Sequence, residues 1–123
     1  MNVEAFKAAY HESRNGANQF FRHGLVRSFV FSDGVNECAQ AGCMWLVDIA
    51  ATEVPKVLNE KDESLGCLVA NVRGGGAVLR LTGSGDVVLW TKRVPYTDMP
   101  DGDWTFYIAD ESDKRVMILP SEY

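Results

Sequence analysis

The hydrophobic period of this chain changes once, near residue 64, and that change calls for a fold that keeps its helices and strands in separate stretches of sequence. Before it, apolar residues recur at three- and four-residue spacing, the period of a helix face; beyond it they alternate, the period of a strand. Val3, Phe6, Ala9 and Tyr10 form the first helical face, with Asn15-Gly16 as its stop, because glycine takes a left-handed cap at no steric cost. Residues 20–25 mix aromatics with Arg22, His23 and Gly24, and residues 28–31 are β-branched and aromatic enough for a short extended segment. Ser32 or Asp33 caps a helix that runs to about Ala41, with Gly42 ending it. Met44, Trp45, Val47, Ile49 and Ala50 then read as a buried helix. Pro55 opens a further short one whose inward residues are Val54, Val57 and Leu58.

Five strand-like runs follow, at residues 65–73, 77–82, 87–94, 104–109 and 116–119. Gly74-Gly75-Gly76 and Gly83-Ser84-Gly85-Asp86 supply the positive-φ positions of tight hairpins, so successive strands are expected to pair antiparallel. Alternation places Leu79, Leu81, Trp104, Phe106 and Ile108 on a covered face and Arg80, Thr105 and Tyr107 on the other. The expected architecture is α+β: a mainly helical half over residues 1–63 packs on one face of an antiparallel meander of four to five strands from residues 64–123. At 123 residues the chain is the size of one domain.

Composition narrows the setting. Residues 1–10 carry Glu4 and Lys7 among apolar positions and lack the pattern of a signal peptide, and no apolar run approaches the length of a membrane span. Cys38, Cys43 and Cys67 are odd in number, which fits a reducing compartment, so a cytoplasmic location is expected. The net charge of -5 is unevenly placed: Lys/Arg and Asp/Glu balance over residues 1–94, and the whole excess falls beyond them, on Asp98, Asp101, Asp103, Asp110, Glu111, Asp113 and Glu122. Such a field repels phosphates and argues against direct nucleic-acid binding; it suits a basic protein surface.

The constellations for chemistry are sparse. No paired cysteine knuckle exists for zinc, and Asp98, Asp101 and Asp103 do not follow the alternate-position spacing of a calcium loop, so neither metal nor cofactor is expected. Gly74-Gly75-Gly76 lies between strands and has no following helix to cradle a phosphate. A thiol nucleophile would need His23 beside Cys38 or Cys43. Arg22 and His23, in the apolar company of Phe20, Phe21 and Leu25, need partners if buried, and Asp33 or Asp48 would serve; the alternative makes Arg22 and His23 anchors of a binding groove.

Four strings, Arg22-His23-Gly24-Leu25, Ser32-Asp33-Gly34-Val35, Trp45-Leu46-Val47-Asp48-Ile49 and Ile118-Leu119-Pro120-Ser121-Glu122-Tyr123, give the chain a resemblance to a family of small bacterial, phage and mobile-element proteins known only as a domain of unknown function. The match spans nearly the whole chain. It departs where Asp48 stands alone after the Trp-Leu core, in place of consecutive acidic residues. The resemblance implies a fold and a habitat, and no catalytic residue. Small acidic proteins of that habitat often inhibit host defence complexes by stoichiometric binding, as anti-CRISPR proteins do. The expectation is therefore a non-catalytic inhibitor whose contact residues are Asp98, Asp101, Asp103, Asp110, Glu111 and Asp113. These would meet a basic host surface such as a CRISPR effector, with anchors drawn from Trp90, Tyr96, Trp104 and Tyr107. A small enzyme using Arg22 and His23 with a cysteine, and a non-catalytic accessory protein, are the alternatives.

Overall fold

The structure, a computed structural model, describes residues 1–12 and 16–123. Asn2 caps helix α1 (Val3–His11) through its side chain, which accepts from the Ala5 amide at 3.0 Å. The helix ends at His11; the stop expected at Asn15 lies outside the described residues, and Gly16 holds a φ of 87°. Two short strands follow, β1 (Phe20–Arg22) and β2 (Phe29–Ser32), then helix α2 (Asp33–Cys38). A short connection at Ala39–Cys43, whose helical path breaks at Gly42 with φ 135°, joins α2 to helix α3 (Met44–Glu60). The buried helix and the short helix expected at Pro55 are thus one element. Pro55 sits well inside its 17 residues, where its missing N–H leaves one helical carbonyl without its usual donor.

The remaining strands are β3 (Leu65–Arg73), β4 (Gly76–Thr82), β5 (Val88–Val94), β6 (Gly102–Glu111) and β7 (Lys114–Ile118), close to the bounds read from alternation. All seven strands form one sheet in the order β1-β2-β7-β6-β3-β4-β5. This corrects the expected meander of four to five antiparallel strands in two respects. β5 does not pair with β6, because β6 inserts between β3 and β7; and β2, from the half assigned to helices, pairs parallel with β7 while β1 pairs antiparallel with β2. A parallel partner 86 residues away leaves no local pattern, since both runs read only as short extended segments.

The helices cover one face. Leu46, Val47, Ala50, Val54 and Leu58 of α3 are buried against Leu68, Leu79, Leu81, Phe106 and Ile108, and Phe6 of α1 packs edge-on to Trp104 at 4.9 Å between ring centres. The predicted covered residues are all buried, and Arg80 is exposed with Thr105 and Tyr107 half-buried opposite them. α1 lies past the end of β7, where Tyr10 Oη accepts the Thr105 amide at 2.9 Å and so satisfies a β6 donor that has no strand partner. Among the described residues no helix is long and apolar enough to cross a membrane.

Candidate functional site

His23 follows β1 directly and is nearly buried, its ring edge-on to Phe29. Nδ1 accepts the backbone N–H groups of Leu25 and Val26 at 3.2 and 3.1 Å. Both donors are amides, so Nδ1 carries no proton, and Nε2 donates to Asp48 Oδ1 at 2.8 Å. Of the two partners the sequence offered, the structure selects Asp48 on α3; Asp33 instead accepts the Asn18 amide at 3.3 Å. Arg22 is exposed and forms no ion pair with either. Arg22, His23, Leu25, Met44 and Asp48 line a shallow depression of about 300 Å³. With both ring nitrogens engaged, His23 has no lone pair left for a substrate proton, and the pair serves to pin the loop after β1 onto α3.

The thiols add no nucleophile to this site. Burial pushes the Cys43 thiol up to about 12, and burial also raises that of Cys67, which lies half-buried on the uncovered face. Cys38 is fully buried. No group of three or more metal-ligating side chains occurs among the described residues.

A second cluster was not legible as one in the sequence. The last turn of the chain brings Glu122, 7% exposed, to the N-terminus of α2. Its Oε1 accepts from Ser32 Oγ at 2.5 Å and from the Leu119 amide at 2.8 Å, and its Oε2 accepts from the Gly34 amide at 3.1 Å, while Ser32 Oγ accepts the Val35 amide at 3.1 Å. A carboxylate at a helix N-terminus meets unpaired amides and the positive end of the helix dipole. The strings quoted above thus meet in twos: Arg22-His23-Gly24-Leu25 on Trp45-Leu46-Val47-Asp48, and the C-terminal string on Ser32-Asp33-Gly34-Val35. Each contact ties a peripheral segment to a helix.

The six carboxylates expected to form one contact surface fall into two groups at opposite ends of β6. Asp103 and Asp110 are seven residues apart in one strand, roughly 23 Å at the rise of a strand residue. The first group is engaged internally. Asp98 accepts from the amino terminus of Met1, a hydrogen bond that holds its carboxyl below the usual range. Asp101 accepts the Gly74 amide at 3.1 Å, and Asp103 accepts Asn71 Nδ2 at 2.5 Å with Arg73 at 3.6 Å. The second group, Asp110, Glu111 and Asp113, is exposed at the β6–β7 hairpin, and no side chain among the described residues bonds to these carboxylates. Of the anchors, Trp104 is in the core with its Nε1 donating to Pro100 O, and Trp90 is half-buried in the covered face; Tyr96 is exposed and Tyr107 stands beside Tyr123.

Arg115, on β7, is a buried cation. Its guanidinium is buried and donates to Asn59 Oδ1 at 2.6 Å and to Glu63 O at 3.1 Å, closing the connection from α3 to β3.

Comparison with known proteins places this geometry. A crystal structure of a protein of unknown function from Enterococcus faecalis superposes with a TM-score of 0.51 at 17% identity, over 85% of this chain and 98% of that one, a likeness of fold. No curated protein matches the chain. Residues 8–123 match the model of a family of unknown function, DUF6876, and the chain belongs to that family.

Proposed function

We propose that the protein works by binding a macromolecular partner at a fixed ratio, without catalysing a reaction on it. The observation that supports this reading is the hydrogen bonding of His23: both ring nitrogens are engaged, by two backbone amides and by Asp48, so the histidine that sequence offered for catalysis is committed to structure. The high-lying thiol of Cys43 points the same way, because a thiolate is the reactive form. The test is a titration of the full chain against a partner captured from host lysate. A binder reaches its plateau at a constant molar ratio. A chemically altered partner at sub-stoichiometric protein, seen by mass spectrometry, sinks the reading.

A narrower reading makes the partner a host defence complex, such as a CRISPR effector, and the protein an anti-CRISPR-like inhibitor. It is favoured by one feature, the carboxylates of Asp110, Glu111 and Asp113 at an exposed hairpin, with no side-chain partners among the described residues. Complementary charge of this kind mainly speeds encounter. Asp98, Asp101 and Asp103 contribute less to it, being held by the amino terminus, Gly74, Asn71 and Arg73.

A further inference from the structure

The uncovered face of the sheet changes character toward β5. Register fixes which side chains share it: Val78 opposes Arg93 and Arg80 opposes Thr91 across β4 and β5, while Arg73 opposes Gly76 across β3 and β4. Arg80 and Arg93 are therefore diagonal neighbours, roughly 7–8 Å apart at Cα. The carboxylates at this corner are engaged: Asp103 is paired with Arg73, Asp101 accepts the Gly74 amide, and Asp98, which lies near Tyr96, is held by the amino terminus; the side chains of Arg80 and Arg93 have no partner among the described residues. In a chain of net charge -5 this is a cationic corner against the overall sign. It also carries exposed apolar groups, with Val78 at 47% and Val88 at 52%. Beside it Arg73, Val78, Arg93, Pro95 and Tyr96 line a depression of about 280 Å³, room for one large side chain.

β5 is the terminal strand of the sheet, so one side of its backbone has no strand partner among the described residues. We propose that the free edge of β5, together with Arg80 and Arg93, takes an extended acidic protein segment as an eighth strand. Main-chain pairing would supply affinity, and alternate side chains of the segment would reach the arginines and the depression by Tyr96. Charge decides among occupants. A second copy of β5 would bring its own Arg93 against the same cations. A nucleic-acid strand would have its phosphates met by the arginines, but Val69, Val78 and Thr91 around them and Thr105 on β6 carry no rings, and Tyr96 at the depression and Tyr107 on β6 stand apart and give no continuous platform for successive bases.

The proposal rests on the binding reading and is tested apart from it. A display library of short random peptides is selected on the immobilised full chain and, in parallel, on the Arg80→Glu/Arg93→Glu variant, with Arg80→Gln/Arg93→Gln as a milder second variant. Circular dichroism and thermal melting check that each variant is folded. Selected sequences are expected to alternate acidic and apolar residues, to bind the charge-reversed variant about tenfold or more weakly, and to slow amide exchange in β5. Enrichment of basic or uncharged sequences, affinity unchanged by reversal, no enrichment at all, or tighter binding of a short oligothymidylate than of any selected peptide overturns the assignment. If the selection fails while the chain still saturates a captured partner at a fixed ratio, the β5 site falls and the binding reading stands. If the partner is instead chemically altered at sub-stoichiometric protein, the binding reading falls as well.

Discussion

At Gly34 an added Cβ would come within 2.6 Å of Glu122 Oε2, so the carboxylate and the glycine occupy one space and act as a unit. Removing either strands the other: Glu122→Ala leaves the amides of Gly34 and Leu119 and the Ser32 hydroxyl without their acceptor, and a buried donor left unpaired costs about 1–3 kcal/mol. Glu122→Ala and Gly34→Ala are each expected to destabilise the fold by about 2–4 kcal/mol in denaturant titration, and the double variant by clearly less than the sum, the signature of a shared contact. Additive losses would mean the two positions act separately. The cysteines give a second residue-scale test. Cys38 and Cys43 are buried and Cys67 half-buried on the uncovered face, so a neutral-pH alkylating reagent should modify Cys67 alone in the folded protein, more slowly than a free thiol because burial raises its pKa. Tryptic mapping that finds Cys43 labelled as fast as Cys67 would contradict this. None of these roles was legible from residue type. The partner of His23 was narrowed to Asp33 or Asp48, but choosing between them required the path of the chain after β1.

Helix α1 shows how an element without strong intrinsic stability is held. At 9 residues it is too short to persist alone, and its docking depends on Phe6 in the core and on Tyr10 against the free stretch of β6. Tyr10→Phe keeps the ring contacts with Phe6 and Trp104 and removes only the acceptor of the Thr105 amide. A loss of about 1 kcal/mol and faster exchange of that amide are expected by denaturation and hydrogen exchange. A Thr105 amide as protected as before would show that the contact carries no weight. The strands beyond residue 64 were readable to within a residue or two because one face is buried and the other is not, so alternation reports burial directly. Helix α3 was misread at Pro55 because proline favours a first turn only as a local preference. Burial of Ala50, Ala51, Val54 and Leu58 along one continuous face outweighs the missing hydrogen bond.

For the molecule as a whole, the parallel pair β2–β7 joins the two halves of the chain into one sheet. Unfolding should accordingly be a single cooperative transition, with near-ultraviolet signals from the packed aromatic residues and far-ultraviolet signals from the helices coinciding in denaturant. Separate transitions would mean that residues 1–63 and 64–123 unfold independently. Charge belongs to this scale too. Neutralising Asp110, Glu111 and Asp113 to Asn, Gln and Asn, which avoids setting lysines directly across from Lys114 and Arg115, should leave stability within about 0.5 kcal/mol per site, while slowing association with a basic partner and flattening its salt dependence. Unchanged association at low salt would remove the hairpin from the interface. Period and turn chemistry act over a few residues, and so the sequence by itself determined the α+β class, the strands after residue 64 and which of their side chains face the helices. Insertion of β6 between β3 and β7, recruitment of β1 and β2, closure of the C-terminal turn onto α2 and division of the carboxylates between two ends of β6 were decided only by tertiary structure. Each depends on which distant segments come together to bury the same surface, and nothing within a few residues of either segment encodes that choice.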